Sequence, residues 1–340
     1  MHKIDENLGK APPELAVGAL RLPGRAFLAP MAGVTDLGMR RAAQRFGAAL
    51  TFSEMLDADF YLGRDPAAVL RAEGAGIRDH VVQIAGCRAE SMAEGARRAE
   101  AAGAAMIDIN MGCPAKRVTG GFAGSALMRE LDLAISLIRA VVGAVKVPVS
   151  VKMRLGWDDH SLNAPDLARR AEAEGVAMLT VHGRSRCQFY QGKADWAAIR
   201  RVKQATSLPV VANGDCLSLE DADEMLRLSG ADAVMIGRGA VGRPWFVGEV
   251  ARHLAGLPPI PGPDVATRLG VARQHYRTLL EGMGEAHGLR HARKHLAAYA
   301  AHAPRPDAAL RHRLITSENP AEVESLLEIL FESEEAAVAA

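Results

Sequence analysis

The chain has 340 residues, enough for one large barrel or two ordinary domains. Its 41 Lys+Arg and 40 Asp+Glu nearly cancel, which excludes a uniformly basic nucleic-acid coat protein and a highly charged disordered chain. Aromatic residues make up only 4%, so the core must be built from Ala, Val, Leu, Ile and Met rather than the aromatic and Thr content of a β-sandwich.

Residues 1–18 lack the continuous apolar run of a signal peptide, and no stretch approaches the ~20 apolar residues of a membrane span. From residue 27 to about 255 a rhythm repeats. Short apolar runs end in a small or polar residue, and a helical pattern follows each. The runs cover 27–31, 50–55, 80–86, 106–112, 147–154, 178–184, 209–215 and 233–239. They are too short for buried helices and several are rich in Val and Ile. The intervening stretches from Asp36, Ala89, Asn163 and Ser218 each close on a glycine, as a helix C-terminus does. Strand–helix units imply parallel pairing, and eight of them predict a closed (β/α)8 barrel, an α/β fold, with an open doubly wound sheet as the alternative. No GxGxxG follows the first strand, which disfavours the open dinucleotide fold.

Gly256-Leu-Pro-Pro-Ile-Pro-Gly-Pro predicts a stiff linker, dividing a barrel domain over 1–256 from a small all-α domain over 257–340. Helices are expected over roughly 264–283, 288–302, 306–316 and 319–336. Residues 265–313 hold nine Lys/Arg against three acids, together with six of the eleven His. This is either an anion-binding surface or a solvated helix face. The last 24 residues hold seven Glu and no Lys or Arg.

Barrel chemistry sits where strands end. The residues there are Met31, Glu54, Gln83, Asn110 with Cys113, Lys152 with Arg154, His182 with Arg184, Asn213 with Gly214 and Asp215, and Gly237 with Arg238. Structural turns alone would not supply Lys, Gln, His and Arg in succession. The glycine-bearing ends Asn213-Gly-Asp and Gly237-Arg precede helices and suit a phosphate, with Arg238 adding a forked contact. Lys152 can face a phosphate, an electron-rich ring or a Schiff base. His182 is a ligand contact or a satisfied core histidine. Gln83 can pair with an imide-like edge, and Pro30-Met31-Ala32 offers apolar atoms and amides to a flat ring. Cys113 stands before a proline on a long glycine-containing segment that can act as a lid. Its thiol can protonate a carbanionic carbon, or it is a small buried hydrophobe. Cys87, Cys187 and Cys216 take the latter reading. No cysteine pair or Cys/His spacing predicts a metal site, and free thiols fit a reducing, cytoplasmic setting.

Taken together, Leu28-APMAGVTD, Val82-QIAG, Asp108-INMGCPAKRV, Val151-KMRLGWDD, Val181-HGRSRCQFYQGKADW, Val211-ANGD, Met235-IGRGAVGRPW and Ala292-RKHLAAYAAHAP resemble the bacterial tRNA-dihydrouridine synthases, closest to the type B subfamily. The resemblance implies an FMN-binding TIM barrel, NADPH as reductant, tRNA as partner, and neither a membrane nor an obligate protein partner. By motif, FMN would touch Pro30, Met31, Ala32, Gln83, Lys152, His182, Asn213, Gly214, Asp215, Gly237 and Arg238. Cys113 would be the general acid. Asn110, Arg154 and Arg184 would lie near the uridine or its phosphates, and Arg290, Arg293 and Lys294 on the tRNA surface. Lys116 and Arg117 would face phosphates. Ala298 stands where many relatives carry an aromatic residue. Two rivals are a small-molecule flavin dehydrogenase, which needs no basic helical domain, and a colourless RNA-binding module indifferent to loss of Cys113.

Overall fold

The computed structural model describes residues 14–304 and 306–332. Arg305 and residues 333–336 of the expected last helix lie outside them. The chain opens with an antiparallel hairpin, β1 (Leu15–Val17) and β2 (Leu20–Leu22). The remaining strands are β3 (Ala26–Leu28), β4 (Leu50–Thr51), β5 (Leu56–Asp57), β6 (Val81–Ala85), β7 (Met106–Met111), β8 (Val149–Arg154), β9 (Met178–His182), β10 (Val210–Asn213) and β11 (Ala233–Ile236). They form one parallel sheet in the order β4-β3-β11-β10-β9-β8-β7-β6-β5. A parallel bridge between Phe52 and Val81 brings its two ends together.

The expected single strand over 50–55 is therefore broken. Leu50 and Thr51 pair with β3, Phe52 meets β6, and pairing with β6 resumes at Leu56. Counting that interrupted segment once, the sheet is the expected eight-membered α/β barrel. The break turns Glu54 out of the ladder, and the Gly33 N–H donates to its carboxylate.

The helices are α1 (Leu37–Arg45), α2 (Ala58–Leu62), α3 (Pro66–Ala72), α4 (Ala89–Ala101), α5 (Lys116–Thr119), α6 (Leu131–Val142), α7 (Ala164–Ala173), α8 (Trp196–Gln204), α9 (Leu219–Ser229) and α10 (Phe246–Leu254), followed by α11 (Val265–Met283), α12 (Glu285–Ala301), α13 (Ala308–Thr316) and α14 (Pro320–Leu330). Side-chain chemistry sets their ends. Asp36 accepts the Met39 N–H at the start of α1, and Ser218 and Asp221 form a reciprocal cap on α9.

Strand alternation sorts the core into two shells. Outward Leu28, Val82, Ile84, Ile107, Ile109, Val149, Val151, Val181 and Ile236 pack under the helices. Inward Phe27, Val81, Met106, Met178, Val211 and Met235 fill the barrel. Full burial of such a side chain contributes about 1.5–3 kcal/mol. The hairpin plugs the lower end of the barrel, burying Val17 and Leu22 in the inner cluster. Higher along the same inward rows the residues turn polar: Gln83, Asp108, Asn110, Ser150, Lys152, Thr180 and Asn213 are all buried. The barrel is thus oily at its closed end and hydrogen-bonding at its open one.

Helices α11 to α14 enclose a second apolar cluster that includes Tyr276, Leu279, Leu296, Tyr299, Leu326 and Leu327. This bundle meets the barrel along α1. Gly38 makes the contact close, since a Cβ there would stand 2.7 Å from the His275 ring. His275 Nε2 lies 3.0 Å from Asp36 Oδ1 across the seam, with His295 Nε2 3.2 Å from Oδ2.

Candidate active site

The open end of the barrel carries a chain of hydrogen bonds rooted in a buried acid. Ser150 Oγ donates to Asp108 at 2.5 Å, and Gln83 Nε2 donates to the other carboxylate oxygen at 2.7 Å. Asn110 Nδ2 donates to Gln83 Oε1 at 2.8 Å. Asn110 Oδ1 then accepts the Cys113 N–H at 2.9 Å. Burial pushes Asp108 up to about 6. Asp108 lies opposite Gln83 in the ladder, and Asn110 opposite Lys152, so pairing register fixes these neighbours.

Cys113 is pinned on its other side too. Its carbonyl accepts the Ser125 N–H at 3.1 Å and the Ser125 hydroxyl at 2.8 Å. The expected lid segment is consequently folded, with α5 and a 3-10 turn at Gly124–Arg129, and it exposes Phe122 and the cations Lys116 and Arg117. Arg154 Nε donates to the Gly112 carbonyl at 2.9 Å, so the residue before Cys113 is tied to the end of β8 at the barrel mouth.

A cleft enclosing about 550 Å³ with its open mouth lies at the ends of β3 and β8 to β11. It brings together Pro30, Met31, Lys152, His182, Asn213, Gly214, Asp215, Gly237 and Arg238, and adds Tyr190. Lys152 Nζ donates to Asn213 Oδ1 at 3.0 Å, and Asn213 Nδ2 donates to the Met235 carbonyl at 2.8 Å. Burial, then the Arg154 cation, brings Lys152 down to about 8. Burial and the surrounding cations hold His182 well below its ordinary value, so its imidazole is neutral. Gly214 has φ +122, and a Cβ there would stand 2.9 Å from the His182 ring. A Cβ on Gly237 would reach to 3.4 Å from Met31 Sδ, filling the floor of the cleft. Bare backbone, a buried ammonium, a neutral imidazole and an exposed guanidinium suit a flat heterocycle that carries a phosphate.

Several expected contacts are placed differently. Gln83 has both ends of its amide engaged by Asp108 and Asn110, below the cleft. Asp215 binds Arg184 at 2.6 and 3.1 Å, Arg238 at 2.9 Å and the Ala194 N–H at 2.9 Å. Its carboxyl lies below the usual range because these donors outweigh burial. Arg184 is 1% exposed and also donates to the Gln191 and Gly192 carbonyls. Arg154, likewise 1% exposed, donates to the carbonyls of Gly112, Ser185 and Phe189. Arg154 thus ties the loops after β7 and β9 together, and Arg184 ties the loop after β9 to Asp215 after β10, instead of standing free for phosphates. Of the three expected cations on α12, Arg290 and Lys294 are exposed and Arg293 is half-buried.

Sequence comparisons agree on the family, and solved structures share the fold. Residues 27–336 match the dihydrouridine synthase (Dus) family. A probable tRNA-dihydrouridine synthase of Rhizobium leguminosarum bv. phaseoli is 51% identical over 304 residues, covering 89% of this chain and 94% of the relative. The chain belongs to the dihydrouridine synthase family. Membership makes it an oxidoreductase. The tRNA-dihydrouridine synthase B of Xanthomonas axonopodis pv. citri is 46% identical over 287 residues, covering 84% of this chain and 86% of the relative. An old yellow enzyme homologue from Zymomonas mobilis shares the fold with a TM-score of 0.53 at 16% identity, covering 76% of this chain and 96% of that one. No helix among the described residues is long and apolar enough to cross a membrane.

Two contributors to this site, and one residue at the seam, escape a reading by strand ends. Asp108 lies one inward position below Asn110 and shows only as the acid of Asp108-INMG. Tyr190 comes from the loop after β9, with Arg154 and Arg238 each 5.4 Å from its ring. The seam residue Asp36 reads locally as a helix cap, with nothing nearby to announce its histidine partners.

Proposed function

We propose that this chain reduces the C5=C6 bond of uridine in the D-loop of tRNA, using FMN as cofactor and NADPH as electron donor, in the cytoplasm. The observation that carries the reading is Cys113, held by Asn110 and Ser125 at the rim of a polar barrel mouth beside the Lys152–Asn213 cleft. Reduced FMN, when bound, supplies the hydride that C6 receives. Within the cleft, Asn213, Gly214, Gly237 and Arg238 would hold the cofactor, with Pro30 and Met31 against its ring; Ala32, expected beside them, is exposed and outside the cleft lining. Lys152 offsets the negative charge of the ring, and the neutral His182 donates or accepts a hydrogen bond without adding a cation. Cys113 gives its proton to C5 as the π bond is lost, so hydride and proton together add H2 across the bond. The thiolate left behind regains a proton from solvent.

A stacked uridine is out of reach, so the base must turn out into the mouth. Exposed Phe122 and Tyr190 offer aromatic faces at that rim. Arg290, Arg293 and Lys294 on α12, with Lys116 and Arg117, supply phosphate contacts whose affinity falls with salt.

The test is dihydrouridine formation, read by mass spectrometry, on tRNA from cells lacking the enzyme. Wild-type protein should purify yellow and convert a D-loop uridine. Cys113→Ala should keep its flavin absorbance and lose about 10²–10⁴-fold in rate. Colourless protein, or a Cys113→Ala variant of full activity, would sink the reading.

A further inference from the structure

The seam between barrel and bundle holds a donor set that the proposed reaction does not use. His291 and His295 are spaced i, i+4 on α12, so both imidazoles project from one face of the helix. Asp36 reaches the same point from the barrel side. One donor atom from each of the three lies within 4.8 Å of the others. His295 is 3% exposed, and its Nε2 stands 3.2 Å from Asp36 Oδ2 but outside hydrogen-bonding alignment. The Nε2 atoms of His291 and His295 are both buried and have no hydrogen-bond partner among the described residues. A direct His295–Asp36 hydrogen bond would leave the His291 nitrogen unanswered.

We propose that Asp36, His291 and His295 bind a divalent transition-metal ion of the zinc class, which clamps the helical bundle to the barrel. Two imidazoles and a carboxylate are borderline-soft donors suited to such an ion. In a tetrahedral zinc site with bonds of about 2.0–2.1 Å, neighbouring donors stand about 3.3 Å apart. The 3.2 Å His295–Asp36 contact already has that spacing, and the His291 donor lies within 4.8 Å of both, so drawing it in by about an ångström closes the set. The supporting residues are in place. Asp36 Oδ1 accepts the Met39 N–H at 3.1 Å and faces His275 Nε2 at 3.0 Å, while His275 Nδ1 lies 3.0 Å from the Tyr299 hydroxyl.

Protonation agrees with ligation. Burial brings His295 down to about 4 and lowers His291, leaving neutral imidazoles at neutral pH. Burial opposes ionisation of Asp36, but His275 and His295 outweigh it and hold the carboxyl well below its ordinary value. Entry and a fourth ligand position come from the adjoining cavity. It encloses about 1080 Å³ with its open mouth and is lined by Asp36, His291, Glu54 and His287. A scan for cysteine-based or Cys/His spacing misses this set, because its carboxylate and its histidine pair sit near opposite ends of the chain.

The test uses tag-free full-length protein stripped with a chelator and titrated with zinc, then with cobalt as a spectroscopic probe. One equivalent should bind per chain, cobalt should give visible d–d bands without a thiolate charge-transfer band, and zinc should raise Tm. His291→Gln, at a half-buried position, should keep the metal-free Tm and lose stoichiometric binding. His275→Gln should weaken binding about 10–100-fold through Asp36. If wild-type protein takes up no stoichiometric ion, the proposal fails whatever the variants do. A thiolate band would place the ion on a cysteine and overturn it, as would zinc binding by His291→Gln equal to wild type.

Discussion

Two cavities of this molecule, the barrel-mouth cleft and the cavity at the seam, share the segment 30–36 as a wall and are built on opposite plans. The mouth of the barrel is walled by side chains from successive strands, and its polar groups are bonded to one another: Ser150 to Asp108, Gln83 to Asn110, Lys152 to Asn213. The cleft between barrel and bundle is walled by Leu37, Leu70, Leu279 and Met283, with ionisable groups concentrated at one end. A strand-built site is rigid and keeps a buried ammonium that costs stability for the sake of a ligand. A seam-built site joins two bodies and makes buried charge part of the joint. The difference teaches where a substitution should be read: in ligand retention at the mouth, in Tm at the seam.

The largest effect should come from the seam. Asp36→Ala removes the partner of His275 and His295 and uncaps α1. In metal-free buffer it should cost about 3–5 kcal/mol, because histidines buried around a carboxylate are left without it. Denaturant melts would check this, and a loss below about 1 kcal/mol would break the contrast. Lys152→Met at the mouth should reverse the pattern. Flavin retention should fall about 10–100-fold, equivalent to ~1.4–2.8 kcal/mol, with little change in apo Tm, since a desolvated cation is removed along with its function. Equilibrium dialysis beside a thermal scan separates the two readouts.

A pH series sharpens the same division. His295 has its pKa depressed to about 4 in the fold, against 6.5 for a free imidazole. The unfolded chain therefore binds the proton first, and the metal-free fold should lose stability as pH falls from about 6.5 to 4. The lowered Asp36 adds its own loss only below 3.8. His295→Gln should flatten the upper part of that slope, and an unchanged slope would move the effect elsewhere. Smallest of all, Arg238→Ala breaks an exposed pair with Asp215 and should shift stability by about 0–1 kcal/mol. Its flavin retention should fall more visibly than its Tm.

The barrel was legible because period-two alternation and helix caps are local. Runs such as 106–111 and 149–154 announce both which residues face inward and where the strand stops. The interrupted strand at 50–57 was not, since Leu50-Thr-Phe-Ser-Glu-Met reads as one apolar run and only the closing contact with Val81 breaks it. Position was also more legible than partner. Arg154 and Arg184 stand at strand ends as expected, yet what a guanidinium meets depends on how the following loops fold back, and here they present carbonyls. Asp36, His275 and His295 come from segments far apart in the chain, so no window of sequence holds them together.

The hairpin at Leu15–Leu22 has a kinetic corollary. By stoppering one end of the barrel it leaves, among the described residues, the strand-end mouth as the way to Lys152. Under the proposed reaction, an electron donor and a nucleic acid that both need the Lys152 cleft would use it in turn, each vacating before the other arrives. Initial-rate plots should be parallel lines, with each reactant at excess slowing the other's entry.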